Sequence, residues 1–398
     1  MLSGNGMKLI LRDAQVLDGK GGRVERTSLV VGGGVIVQIT KNPEVSSGDA
    51  VIDCSGRTIM PGLIDMHVHP AIPNIQAPAG YFALMFQKNA LKMLRAGFTS
   101  IRCLGSPHYV DLDARRAAAE GLVLQPRIFA AGMGLCVTNG HLARLNLGVE
   151  VDGPEAFRAA ARGLIKRQAD WLKISADALT SYSLASVQEM KAAVDVFHGA
   201  GKRAAIHAGT PQGIANSLET GADTVEHGFF LAEEPELIQK MVERRVYYVP
   251  TLYIHERWDT TKDRRYSSEV LEYVRRAQRV HPKSFRMALE AGVRIAMGSD
   301  EGGVPGSPIG EAAYELELMV KYGMKPMEAI ISATSRAAEA LGVSNKIGAV
   351  GEGMEADLLL VDGDPSSDIS LLSKGIKKVI LAGVPLVHYN DGATGFPM

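Results

Sequence analysis

Thr58-Ile59-Met60-Pro61-Gly62-Leu63-Ile64-Asp65-Met66-His67-Val68-His69-Pro70 is an apolar, β-prone run that ends in two histidines one residue apart. In an extended backbone alternate side chains share a face, so His67 and His69 aim together from the end of a buried strand. A lone histidine in such a place reads first as a satisfied core residue. Two converging imidazoles are different, because they can grip one divalent cation of the zinc class, and left unpaired at a buried strand end they would be costly. The stretch predicts a metal site at the carboxyl end of a strand.

Downstream, strands alternate with helices, the texture of parallel βαβ units. Helices are predicted over Tyr81 to Arg95, ended by Gly97, over Leu112 to Glu120 and around Glu155 to Gln168. Further strands are read at Thr99–Gly105, Arg127–Gly132, Trp171–Ser175, Arg203–His207, Thr224–His227, Val246–Pro250 and Val293–Asp300. With the opening strand these make eight, the number that closes a parallel barrel. The fold class expected is therefore α/β, a (β/α)8 TIM barrel over residues 60–349. Upstream, Leu9-Ile10-Leu11, Gln15-Val16-Leu17, Ser28–Val31 and Val35–Ile39 are short runs separated by turn residues, and Asp357–Asp362 and Lys378–Val387 repeat that texture at the other end. Neither half could cover its own apolar face, so both termini are expected to meet in a small β-sandwich domain of residues 1–59 and 350–398.

Composition narrows the function. The 398 residues are 46% hydrophobic and 22% charged, and 43 basic against 44 acidic side chains leave a net charge of -1. Such a chain offers no field to gather nucleic acid or an anionic membrane. No apolar run reaches the roughly 18 residues that a membrane span needs, and no secretory leader is evident. Cys54, Cys103 and Cys136 are odd in number and widely spaced, which suggests neither disulfides nor a thiolate zinc site. A cytoplasmic protein with reduced thiols is the expectation.

In a closed barrel the carboxyl ends of the strands converge on one mouth. Read in order, those ends carry His67 and His69, Lys173, His207, His227 and Asp300. Five are ordinary metal ligands, and the sixth is a lysine, whose ammonium could not approach a cation. A buried lysine of lowered pKa can be neutral, add carbon dioxide and become an anionic carbamate with two oxygens. Two divalent ions bring four positive charges against the single unmodified anion, Asp300, so the carbamate also reduces the charge that burial must tolerate.

These motifs, with Trp171-Leu172-Lys173-Ile174, Ile206-His207-Ala208, Val225-Glu226-His227-Gly228, Gly298-Ser299-Asp300 and the late Gly351–Leu358, resemble the amidohydrolase superfamily. The nearer resemblance is to its imidazolonepropionase-related branch, with zinc-dependent Xaa-Pro and Xaa-Arg dipeptidases and carboxypeptidases. It implies one metal held by His67, His69 and Asp300, a second by His207 and His227, and carboxylated Lys173 bridging both. It further implies two divalent ions, zinc first among zinc, manganese and cobalt, and a metal-bridging hydroxide as nucleophile. Asp300 is then also the proton shuttle, and His141, after the third strand, contacts the substrate carbonyl.

The activity expected is hydrolysis of a carbon-nitrogen amide bond in a dipeptide or N-acyl amino acid. One departure bears on it: the dipeptidase pattern has a carboxylate-holding tyrosine three residues after His227, and Phe230 stands there, which cannot donate. Arg102, Arg144, Tyr253 and Arg257 are alternative anchors, though each reads first as structural. A neutral aryl amide, carbamate or urea is the second substrate class. A mononuclear deaminase or cyclic-amide hydrolase, and a non-catalytic relative that keeps the barrel for assembly, complete the alternatives. The long charged connection Thr251 to Lys283, with a basic cluster at Lys262, Arg264 and Arg265, reads as a solvated face on the side where substrate lids are built. A small-molecule substrate and a homo-oligomer are the partners expected, without nucleic acid or membrane.

Overall fold

The computed structural model describes residues 7–71, 76–178, 184–261, 263, 266–304 and 307–386. Five strands open the chain, β1 (Leu9–Leu17), β2 (Arg23–Gly32), β3 (Val35–Thr40), β4 (Ala50–Asp53) and β5 (Arg57–Pro61). Next come β6 (Leu63–Val68), β7 (Phe98–Cys103), β8 (Arg127–Ala130), β9 (Gly134–Cys136) and β10 (Gly148–Glu150). They are followed by β11 (Trp171–Ser175), β12 (Arg203–Ala208), β13 (Thr224–His227), β14 (Tyr247–Val249) and β15 (Arg294–Ile295). The chain closes with β16 (Leu358–Asp362), β17 (Ile376–Leu381) and β18 (Val384–Pro385). The two ends of the chain share one eight-stranded sheet, joined where β16 runs antiparallel to β5 from Leu358↔Pro61 to Asp362↔Arg57.

The period of two along those strands sets which core each side chain enters. Ile59, Leu358, Leu360 and Ile380 pack with Leu9, Leu11, Leu29 and Val31 in a core of the sheet's own. Their neighbours Met60, Leu359, Val361 and Val379 point the other way, into the large core of the strand-and-helix part. A slip of one residue would exchange the two sets. Val387, the last residue of the expected final strand, lies outside the described residues.

All eight strands read in the middle of the chain are present, as β6, β7, β8, β11, β12, β13, β14 and β15. Their pairings with one another are parallel. First and last are tied by backbone bonds, Met66 N to Met297 O at 3.0 Å, Asp300 N to His67 O at 2.8 Å and His69 N to Glu301 O at 2.8 Å. The helix after β6 spans Ala79–Arg95 and stops because Gly97 takes φ 96°, a conformation that costs glycine little. Its buried Asn89 donates to Pro70 O at 2.7 Å and so ties down the residue next to the paired histidines.

The stretch 251–283, read as a solvated face, is mostly helical, with Leu252–Arg257 and Ser268–Glu290, and the longer helix also buries one side. Val270, Leu271, Val274, Ala277, His281, Phe285 and Ala288 form its buried stripe, an amphipathic spacing that the intervening charges disguise. The Ser267 side chain caps it, accepting from Val270 N at 3.3 Å. Lys262, Arg264 and Arg265 lie outside the described residues. Among the described residues no helix is long and apolar enough to cross a membrane.

Candidate active site

Five histidines meet at the carboxyl ends of the strands. The rings of His67 and His69 are 5.2 Å apart, those of His67 and His227 4.9 Å, and those of His227 and His207 4.4 Å. His141, on the short helix His141–Arg144, stacks on His207 at 4.7 Å and 30°. Asp300 joins them, its Oδ1 lying 3.2 Å from His69 Nε2 and 3.6 Å from His67 Nε2. One ligand atom from each of these three residues falls within 4.8 Å of the others. Lys173 is 1% exposed on β11, and its charge acts on His67, His227 and His141. All six strand-end residues and His141 are thus brought together.

The backbone turns sharply to do this. His227 and Asp300 take φ 72° and 57°, and Thr251 after β14 takes 56°. Non-glycine residues rarely sit there, and such strain persists only where the surroundings enforce it. Here they do: Tyr248 Oη donates to His227 O at 2.9 Å, and Asp65 ties the first strand to the last, accepting from His67 N at 3.0 Å, Ser299 N at 3.0 Å and Ser299 Oγ at 2.6 Å.

The outward nitrogens of His67, His69 and His227 are held. His69 Nδ1 lies 3.1 Å from Gly105 O; a carbonyl only accepts, so Nδ1 carries the proton and Nε2 keeps its lone pair for the site. His67 Nδ1 donates to Glu226 Oε2 at 2.8 Å, and His227 Nδ1 meets Thr251 Oγ1 at 2.8 Å. Burial, with Lys173 beside His67 and His207 beside His227, holds both imidazoles well below their ordinary pKa. Both rings are therefore neutral at physiological pH and free to offer a lone pair. Burial also pushes the Lys173 ammonium down to about 8. Three polar atoms in this cluster have no hydrogen-bond partner among the described residues: Lys173 Nζ, His207 Nε2 and Asp300 Oδ1.

Two supporting carboxylates escaped the sequence reading. Glu226 receives Arg102 on Oε1 at 2.8 Å and contacts Thr224 Oγ1, while Arg102 also donates to Met66 O at 2.6 Å and lies 4.3 Å over Trp171. It adjoins His227, whose alternate position should send it to the opposite face, and the left-handed turn at His227 lets both face inward. Asp177 lies 3.4 Å from His207 Nε2 and accepts from Thr210 N at 2.7 Å and Thr210 Oγ1 at 2.6 Å. Glu226→Gln is expected to weaken metal binding about 10- to 100-fold, since it removes the carboxylate that orients His67. It should also lower stability by about 3–5 kcal/mol, because Arg102 is left buried without its partner. Metal titration and thermal unfolding of the variant check both, and unchanged values would remove Glu226 from the support of His67.

None of the four suggested carboxylate anchors is free. Arg102 is paired with Glu226, Arg257 reaches Glu311 at 2.9 Å, Arg144 donates to Asn139 Oδ1 at 3.1 Å, and Tyr253 Oη donates to Pro308 O at 3.3 Å. Phe230 faces Tyr273 and Arg276, and it is Phe229 that lies 5.1 Å from the His227 ring and 4.2 Å from His255.

A family model described as "Amidohydrolase family" matches residues 58–386. Among solved structures, a Xaa-Pro dipeptidase with methionine bound in its active site is 31% identical, with 95% of this chain and 99% of that one covered and a TM-score of 0.87. A prolidase complexed with N-methylphosphonate-L-proline is 28% identical, covering 96% and 99%, with a TM-score of 0.86. Among curated proteins, the ochratoxinase of Aspergillus niger is 26% identical over 360 residues, 79% of this chain and 72% of that one.

Proposed function

This chain belongs to the amidohydrolase family and is a hydrolytic enzyme, and from that premise we propose that it cleaves the amide bond of a dipeptide or N-acyl amino acid at a two-metal centre. The observation that carries the proposal is the set of unpartnered atoms Lys173 Nζ, His207 Nε2 and Asp300 Oδ1, gathered among neutral imidazoles. Buried polar groups without partners are expensive, and a donor set of this kind suits divalent cations. His67, His69 and Asp300 would hold one ion, His207 and His227 the other, with carboxylated Lys173 between them. Bound ions would polarise the scissile carbonyl and lower the pKa of water. Within this reading the eight strands make a (β/α)8 barrel, and residues 1–59 and 350–398 a composite sandwich.

The protein's own groups then have separate tasks. The neutral Lys173 amine adds carbon dioxide through a new N–C bond and releases one proton, leaving the carbamate anion. Asp300 Oδ1 accepts the proton of the attacking water and delivers it to the departing nitrogen, an otherwise poor leaving group. His141, half-buried and stacked on His207, would donate to the carbonyl oxygen as charge develops there. The names of the relatives, Xaa-Pro dipeptidase, prolidase and ochratoxinase, support a substrate in this class. A second reading, a neutral aryl amide, carbamate or urea, is favoured by Phe229 at the histidine cluster and by the engagement of all four anchor candidates.

The test is a panel of Xaa-Pro and Xaa-Arg dipeptides, N-acyl amino acids and neutral aryl carbamates, run with metal-replete protein. Turnover is expected on the carboxylate-bearing amides, lost on chelation and restored by zinc, with two ions per chain. Tenfold better cleavage of the neutral aryl compounds would transfer the assignment to the second reading, and a single ion per chain would favour a mononuclear member of the family. Silence across the replete panel would refute the proposal.

A further inference from the structure

Tyr273 belongs to the helix Ser268–Glu290, which arises in the insertion between β14 and β15. Its hydroxyl is shielded from solvent and has no hydrogen-bond partner among the described residues. It occupies the space that a Cβ on Gly209 would need, with Phe229 Cδ2 2.8 Å from the same point. Gly209 lies two residues past His207 at the end of β12. The Tyr273 ring stands edge-on to Phe229 at 6.4 Å and to Phe230 at 5.4 Å. The hydroxyl thus sits against Gly209, two residues past His207, and against Phe229, whose ring lies 5.1 Å from that of His227.

Its neighbours are already committed. The Asp177 carboxylate accepts from Gly209 N and from both donors of Thr210, Arg276 is paired with Glu233 at 2.6 Å, and Ser284 Oγ donates to Phe229 O at 2.8 Å. Burial and the nearby Asp177 hold the phenol well above its ordinary pKa, so it is a proton-bearing donor at any physiological pH. A fixed donor against an aromatic wall, near the histidine cluster and without an acceptor among the described residues, matches an oxygen that arrives with the substrate.

We propose that Tyr273 determines substrate specificity, its hydroxyl donating to the carboxyl oxygen of the amino acid that departs from the scissile amide. This rests on the amide-hydrolase reading above. The glycine at 209 is what admits the hydroxyl: its backbone is outside the left-handed region, so alanine fits the chain there but takes the hydroxyl's place. A hydrogen bond to a charged acceptor is worth about 10- to 100-fold in binding, and it is made alike in ground and transition states, so its loss falls on KM.

The experiment uses metal-loaded wild type, Tyr273→Phe and Gly209→Ala. Steady-state constants are measured on N-acetyl-L-phenylalanine, N-acetyl-L-proline and their primary carboxamides, and the binding of free L-phenylalanine and L-proline is measured by calorimetry. Tyr273→Phe, which removes one oxygen, is expected to raise KM and the amino-acid Kd about 10- to 100-fold, with kcat within about threefold and metal content unchanged. The deficit should be larger for the acids than for the carboxamides, because the charged acceptor makes the stronger bond, and Gly209→Ala should follow the same direction. Unchanged KM and Kd in Tyr273→Phe, or a fall in kcat accompanied by lost metal, overturns the assignment while leaving hydrolysis itself established. Wild type that binds the amino acids through Tyr273 but cleaves none of the amides overturns the functional reading alone, and wild type that neither binds nor cleaves them overturns both.

Discussion

Lys173→Ala is expected to hold at most one metal ion per chain and to lose at least about 10³-fold in kcat/KM, the several kcal/mol that Lewis-acid assistance supplies at 1.36 kcal/mol per decade. The size of the loss follows from charge. Two divalent ions bound there would face one unmodified anion among the proposed ligands, Asp300, beside His67 and His227, which burial keeps neutral. Without a second anion the excess charge exceeds what a buried site tolerates, so ions leave rather than rearrange. Lys173 can supply that anion, because its Nζ is buried and without a partner among the described residues and burial lowers its ammonium to about 8. A companion measurement separates the carbamate from simple loss of packing: metal-free wild type reconstituted with zinc in carbon dioxide-stripped buffer should recover activity slowly, and bicarbonate should speed it. Elemental analysis showing two ions in the variant at a normal rate would remove the carbamate bridge.

What could be read from the chain alone followed the rules of local periodicity. His67, His69, Lys173, His207, His227 and Asp300 were legible because each ends an apolar strand, and strand ends of a parallel array gather on one side. The meeting of the termini was legible because two half-covered sheets have few other partners. Glu226 was not, since an alternating strand places it opposite His227, and only the φ of 72° at His227 brings both inward. Asp177 and Tyr273 were hidden for another reason. Their roles come from contacts with Thr210 and Gly209, over thirty and over sixty residues away in the chain, which no short-range pattern encodes. The buried stripe of the helix Ser268–Glu290 was obscured by its own surface, where arginines and glutamates interrupt the apolar positions often enough to read as a solvated face.

Asp300→Asn is expected to fold like the wild type and to lose about 10²- to 10⁴-fold in kcat, the range of a general acid-base group. Asparagine keeps the shape of the side chain and, like aspartate, tolerates the φ of 57° that position 300 requires, so the melting temperature should move little. What it removes is the negative charge beside His69 and His67 and the capacity of Oδ1 to take a proton. Those two losses can be separated by the leaving group. An alkyl amine must be protonated to depart, whereas an activated p-nitroanilide needs far less help. If Asp300 moves the proton, the deficit of the variant should shrink by at least about tenfold on the anilide, as a reaction less dependent on acid assistance must. If Asp300 only anchors a metal, the deficit should be equal for both substrates and track the lost ion, and zinc added in excess should restore it. An unchanged rate on both would leave Asp300 without either role.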